Sequence, residues 1–315
     1  MHIISFASAT LMVLGAGSGF CQPYPAKPIR VLTAEAGGAL DIVARLIAQG
    51  ISSSLGQNVI VDNRGSTVSI ELATMAPHDG HTLLVIGTTF WIGPLLQKTS
   101  YDPVRDFSPV SMLTRSPSVL VVHPSLPANS VRELIVWAKA KPGLLNYAST
   151  GTGGSIHLAT ELFKSMAGVD VVRIPYKGNG PALNALIGGE VQVMFPTAGS
   201  VAPHVRSGRL RALAVTGSQP SALAPDLPTV AASGLPGYEA VSILAMFAPA
   251  NTRAVIVARL HTEIATLLNR TQVKERFFGA GVESVGGSPE QLAATMHSEV
   301  VRMGKVIRQA GIRSD

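Results

Sequence analysis

The residues whose types and spacing could do chemistry lie in one stretch, Asn146-Tyr-Ala-Ser-Thr-Gly-Thr-Gly-Gly-Ser-Ile-His157. Ser149, Thr150 and Ser155 supply small hydroxyls, Gly151 and Gly154 bring the backbone close, and His157 carries a switchable charge. A short apolar strand runs into this turn and a helical pattern leaves it. Unpaired backbone N–H groups therefore converge with the hydroxyls on one spot, which makes an anion cradle rather than a reaction centre.

The elements that must position the cradle follow from periodicity. Ala159, Leu162, Phe163 and Met166 fall at i, i+3, i+4 and i+7, which predicts one buried helical stripe with Ser155 or Gly154 near the N-cap. Val169 to Tyr176 reads as a buried strand, and Lys177-Gly-Asn-Gly-Pro181 opens a second helix with Pro181 near its first position. Two helix N-termini would then face the same edge of a sheet, where ligands bind in open α/β folds. Tight turns also recruit glycine for steric reasons alone. Gly151-Thr-Gly-Gly154 is only a fragment of a dinucleotide fingerprint and lacks an acidic residue at the expected offset, so no nucleotide cofactor is expected.

Composition bounds the class. With 315 residues, 46% hydrophobic content and 14% charged residues, the chain can bury a substantial core in two lobes of ordinary size. The net charge of +6 comes from scattered Lys and Arg with few aromatics between them. That pattern suits capture of small acids better than nucleic-acid binding, and no nucleic-acid partner is expected. The single cysteine, Cys21, allows neither a disulfide framework nor a thiolate metal site. Residues 3–20 form an apolar, small-residue stretch with the shape of a signal peptide cleaved near residues 18–22, although His2 stands where Lys or Arg is usual. An exported, soluble protein is expected, rather than one lipidated at Cys21.

Along the chain, Pro28 to Thr33 is a first strand, and Ala34-Glu-Ala-Gly-Gly-Ala-Leu-Asp41 is the turn into a helix burying Val43, Leu46, Ile47 and Ile51. Asp41 lies in the first helical turn, where a carboxylate can serve as a structural cap or touch a ligand. Asn58 to Asp62 is a strand, Ile70 to Ala76 a helix, and Thr82 to Ile86 a strand ending in Gly87-Thr-Thr89. Val110 to Leu113 and Val119 to His123 read as extended. Ser130-Val-Arg-Glu133 is a capping box, and Ser288-Pro-Glu-Gln291 is a second one that opens a long C-terminal helix. Val191 to Phe195, Leu210 to Thr216 and Ser242 to Ala248 complete the strands. A Pro-rich connection spans residues 220–237.

Many ordered motifs resemble the periplasmic substrate-binding proteins of the tripartite tricarboxylate transporter family, the Bug receptors. They are Tyr24-Pro-Ala-Lys-Pro-Ile-Arg30, Gly37-Gly38 with Asp41, Asn63-Arg64, Asp79-Gly-His-Thr-Leu83, and Tyr101-Asp-Pro with Asp106-Phe-Ser-Pro-Val110. Ser149-Thr-Gly-Thr-Gly-Gly-Ser-Ile-His157, Pro175-Tyr-Lys-Gly178 and Gly208-Arg-Leu-Arg-Ala-Leu-Ala-Val-Thr216 extend the likeness over the whole mature chain. The resemblance implies an α/β, two-lobe periplasmic-binding-protein fold of type II, a Venus flytrap with a hinge. Lobe one would comprise residues 23–123 and 240–315, and lobe two residues 124–239, after a signal peptide at 1–22. It implies a non-enzymatic monomer that clamps a small organic acid and delivers it to the membrane subunits of a transporter, or acts as an orphan sensor.

Carried over by motif, the resemblance assigns ligand contact to Ala36, Gly37, Gly38, Asp41, Thr88, Ser149, Thr150, Gly151, Gly154, Ser155, His157 and Tyr176, with Thr197 added after the strand ending at Phe195. Three departures stand out. Glu35 replaces an apolar or Pro residue, Gly65-Ser-Thr67 shortens a glycine-rich turn, and Pro196-Thr197 replaces an acidic residue. Enzyme readings find no Gly-x-Ser-x-Gly elbow, phosphate loop or His-Glu-x-x-His motif. A cytoplasmic sensing domain on the same fold would lack the export signal. No metal site is expected.

Overall fold

The computed structural model describes residues 24–313. The expected signal peptide and Cys21 lie outside the described residues. Two sheets organise the rest, and strand alternation explains why each is buried on both faces.

The first sheet begins with β1 (Ile29–Thr33), α1 (Ala39–Leu55), β2 (Val59–Asn63), α2 (Ser66–Thr74) and β3 (Thr82–Gly87). A short helix α3 (Thr89–Ile92) with a 3₁₀ turn over Gly93–Leu95 leads to β4 (Phe107–Pro117). The chain then builds the second sheet from β5 (Val119–Val122), α4 (Val131–Ala140), β6 (Leu145–Ser149), α5 (Ser155–Ala167), β7 (Val171–Pro175), α6 (Asn179–Ile187), β8 (Val193–Met194), α7 (Ala198–Arg206) and β9 (Arg211–Val215). It returns through β10 (Val241–Pro249), α8 (Ala254–Leu268), α9 (Thr271–Gly279), β11 (Ser284–Gly287) and α10 (Pro289–Gln309).

The six-stranded order is β11-β4-β10-β3-β1-β2 and the five-stranded order is β7-β6-β8-β5-β9. β1 pairs in parallel with β2 and β3, and β6 with β7 and β8. The carboxyl ends of β1 and β3 thus share one edge, the edge that in such sheets carries the ligand. Alternation divides the first sheet's side chains cleanly. Val31, Val85 and Met246 join α1 and α8 on one face, whereas Leu32, Ile86 and Phe247 face the other. That second face carries α2, α3 and α10, and its apolar cluster continues without a break into the second sheet.

The helices stop and start where local chemistry dictates. α1 buries Val43, Ala44, Ile47, Ile51 and Leu55 and ends at Gly56, whose φ of 67° only glycine adopts cheaply. α10 opens with a complete capping box, Ser288 accepting from Gln291 N–H while the Gln291 side chain accepts from Ser288 N–H, with Pro289 in the first turn. At α4 the box closes one residue early: Ser130 Oγ accepts from Glu133 N–H, but the Glu133 carboxylate takes Asn129 N–H.

Several expected boundaries move. β5, which the sequence reading placed in lobe one, pairs with β8 and β9 in the second sheet, so the outward crossing sits at Ser118 rather than after His123. The return crossing lies between Glu239 and Val241, since Ala240 N–H still bonds Thr216 O beside β9 while Val241 pairs with Pro117. Met166 is not on the buried stripe of α5 but 38% exposed, and the last turn is held to the core by Ala167 instead. β7 is an edge strand and only half covered, not the buried strand its apolar residues implied. α2 begins at Ser66, four residues earlier than the apolar pattern indicated, so the shortened turn is a helix N-terminus. In α6, Pro181 is the third residue, because Gly178 provides the N-cap.

Candidate functional site

The two crossings bring the carboxyl ends of β3 and β6 face to face. Two adjoining cavities lie between them, one of about 200 Å³ near the crossings and one of about 530 Å³ toward the outside. Thr89 and Gly153 border both. The inner cavity is walled by Gly87 and Thr88 after β3, by Ser155 and Leu158 of α5, and by Ser118 and Ser242 at the crossings. The outer one is bordered by Gly151 and Gly154 across from Ser66 and Thr67 of α2.

The turn from β6 to α5 is held rigidly from behind. Arg173, on edge strand β7, donates to Ser149 Oγ at 2.7 Å, to Thr152 Oγ1 at 3.2 Å and to Thr150 O at 3.0 Å. His157 Nδ1 accepts the Gly153 N–H at 3.1 Å, which requires a neutral ring with its proton on the other nitrogen. Burial, with Arg173 nearby, pushes the His157 pKa down to about 4. His157 is therefore the turn's internal strut. Gly154, in extended backbone, is the N-cap of α5 and has no side chain to satisfy the first N–H groups, which stay available to a ligand.

Gly153 lies close against the opposite lobe. Its φ is +74°, and a Cβ there would sit 2.2 Å from Leu96 Cδ1 of the opposite lobe. Only glycine permits both the backbone angle and the contact. Thr88 is tied across the cleft floor: its Oγ1 accepts from Ile243 N–H at 3.0 Å.

The turn after β1 is built differently. Ala36, Gly37 and Gly38 are exposed and border neither cavity. Asp41 is 6% exposed and fully engaged, accepting from Gly37 N–H at 2.9 Å and Asn63 Nδ2 at 2.9 Å and pairing with Arg45 at 2.8 Å. Burial alone would raise its pKa, but the Gly37 N–H, Asn63 and Arg45 together hold it below the usual carboxylate range. Asp41 thus braces the turn from within. Leu40, the residue before Asp41 in α1, borders the inner cavity instead.

Of the sequence-assigned residues, the structure gathers Thr88, Gly151, Gly154 and Ser155 around the two cavities. Ser149 is fully buried, with Oγ engaged by Arg173. Thr150 gives its carbonyl to Arg173, Tyr176 N–H bonds Ser149 O at 2.8 Å, and Thr197 caps α7 with Oγ1 donating to Ser200 Oγ at 3.2 Å. These three support the turns without bordering either cavity. Sequence reasoning missed Arg173, Thr89 and Gly153. A lone Arg inside Val171-Val-Arg-Ile-Pro175 was the available signal, since a cation in an apolar strand must find buried partners.

Residues 43–312 match the family described as tripartite tricarboxylate transporter family receptor. The chain belongs to this family. Protein BugT of Bordetella pertussis is 34% identical over 317 residues, covering 97% of both chains. The structure of R. palustris Rpa4515 with adipate is 34% identical, covers 93% of this chain and 100% of its own, and superposes with a TM-score of 0.76. MatC from Rhodopseudomonas palustris, with bound malate, is 29% identical, covers 90% and 100%, and gives a TM-score of 0.71. Like these receptors, the chain has the two-lobed α/β solute-binding fold that the sequence motifs implied. Among the described residues no helix is long and apolar enough to cross a membrane.

Proposed function

We propose that this receptor captures a small organic acid between its lobes, with the carboxylate against the Gly153-Gly154-Ser155 turn and Thr88-Thr89, and hands it to the membrane subunits of a transporter from the periplasm. The observation that carries the reading is the β6–α5 turn. Free N–H groups at the start of a 13-residue helix face a cleft while a guanidinium braces the same loop from behind. The bound adipate and malate of the two R. palustris proteins support the same ligand class.

Magnitudes set how the clamp works. A helix N-terminus contributes about 0.3 to 1 kcal/mol to an anion, up to about 2 when partly buried. Micromolar affinity needs about 8 kcal/mol. The remainder comes from several charge-assisted hydrogen bonds of about 1.5 to 3 kcal/mol each, kept strong by excluding water as the lobes close. Closure pivots on the two crossings, one at Ser118 and one between Glu239 and Val241, where Ala240 N–H still bonds Thr216 O at 2.9 Å. The lobes as moving units are 24–117 with 240–313, and 118–239.

The test is thermal unfolding and titration calorimetry of the mature protein against mono- and dicarboxylates of two to six carbons and aromatic acids. At a hundred times Kd a ligand stabilises by about 2.7 kcal/mol, so the true ligand class raises Tm by several degrees. A library that leaves Tm unmoved overturns the reading.

A further inference from the structure

The inner cavity ends on an acid. Glu299 of α10 is 4% exposed and borders this space together with Leu158, Ile92 and Met303. An anion at the end of a carboxylate-binding cleft is not what a simple anion trap would place there, and its hydrogen bonding leaves it with acceptor capacity to spare. Oε2 accepts the Trp91 indole N–H at 2.8 Å. Oε1 stands 3.7 Å from the Arg302 guanidinium, beyond hydrogen-bond reach. Arg302 divides itself between Glu299 and Glu239, which it approaches at 3.6 Å, and Arg115 also pairs with Glu239. Neither arginine borders the cavity, so the charged group a ligand meets is the carboxylate.

Burial raises the Glu299 pKa, while the Trp91 N–H and the Arg302 charge oppose the rise; in its ionised form the carboxylate only accepts hydrogen bonds and has sites for about four. In an apolar wall, an acceptor with one full hydrogen bond calls for a donor from whatever fills the space. A second carboxylate at that end would instead meet a like charge with little water to screen it. The space itself, about 200 Å³, suits a ligand of modest size, since a water occupies about 30 Å³ of liquid.

We propose that Glu299 is a specificity-determining residue of the cleft, accepting a hydrogen bond from a hydroxyl or amino group of the bound acid and discriminating against a second carboxylate. The inference rests on the carboxylate-binding reading above and narrows it to hydroxy or amino monocarboxylates.

The experiment is calorimetry at neutral pH with butyrate, its 2-, 3- and 4-hydroxy derivatives, 4-aminobutyrate and succinate, together with the six-carbon homologues including adipate. At least one donor-bearing acid should bind about tenfold or more tighter than the unsubstituted acid of the same length, with the dicarboxylate weakest. Glu299→Gln keeps an acceptor for Trp91 and removes the charge, so the penalty on the dicarboxylate should fall by about tenfold. If no acid of either length binds, the carboxylate reading fails with it. If acids bind but the dicarboxylate equals or exceeds the hydroxy and amino acids, the carboxylate reading stands and the role of Glu299 is overturned. The wild-type ranking decides even if the variant does not fold.

Discussion

Two glycine turns with the same signature, one after β1 and one after β6, meet different fates in the folded protein. Both follow a strand, both open a helix of more than ten residues, and both have a glycine at the N-cap, Gly38 and Gly154. The first is braced by an acid, Asp41, on a loop that stays exposed. The second is braced by a base, Arg173, and by a neutral imidazole, and is pressed against Leu96 of the other lobe. A turn whose backbone N–H is already taken by an internal carboxylate offers less to an external one. In the second turn the Gly153 and Gly154 N–H groups are also engaged, by His157 and by Gly151 O, but the first N–H groups of α5 beyond them have no side-chain cap, and the cation behind the loop adds a favourable potential. The sign of the brace therefore separates a structural turn from a binding turn.

The largest expected effect comes from removing the second brace. Arg173→Met strips three hydrogen bonds and leaves Ser149 Oγ buried with a single acceptor. It should cost about 3 to 5 kcal/mol in urea unfolding and lower carboxylate affinity as well. The exposed counterpart, Arg45→Met, should cost under about 1 kcal/mol. Equal losses at the two sites would erase the contrast.

Acid sensitivity sharpens it next. The folded His157 pKa of about 4 lies below the unfolded value of 6.5, so the stability it contributes is present above pH 6.5 and is lost as pH falls toward 4. The loss should approach about 3 kcal/mol across that window. A His157→Gln variant should show a correspondingly shallower fall in stability from pH 6.5 to 4, and an unchanged slope would show that the imidazole is not the titrating strut.

Glycine substitution follows. Gly153→Ala forces a positive φ and a clash with Leu96, and should lose about 2 kcal/mol of stability together with ligand affinity as the lobes are wedged apart. Gly37→Ala, with φ +87° but nothing within 4 Å, should cost about 1 kcal/mol of strain and leave affinity intact. Pairing Gly153→Ala with Leu96→Ala should restore part of the affinity, a coupling that a purely local turn defect would not show.

The smallest effect is on binding alone. Ser155→Ala should weaken carboxylate binding by about 1 to 2 kcal/mol with Tm of the free protein nearly unmoved. Unchanged affinity in calorimetry would remove Ser155 from the site.

Much of the first sheet could be read from periodicity, because Val31, Val85 and Met246 alternate with Leu32, Ile86 and Phe247 in strands covered on both sides. The β6–α5 turn was equally plain, since strand, glycines, hydroxyls and helix follow one another within a dozen residues. Element edges were less so. The start of α2 at Ser66 is polar and carries no apolar stripe, and β11 is four residues with two glycines, so neither announces itself. Asp41 and His157 are of types that bind ligands or brace turns equally well, and only their partners decided between the two roles.

What the chain's order of residues determined alone was most of its strands, helices and capping turns, because those depend on near neighbours. Its ordered motifs also carried the family. Which turn faces the cleft, which cation stands behind it, and that Glu299 and Trp91, 208 residues apart, end one cavity together were decided only on folding. Side chains so distant in sequence meet through sheet order and lobe crossing, and no local spacing encodes that meeting.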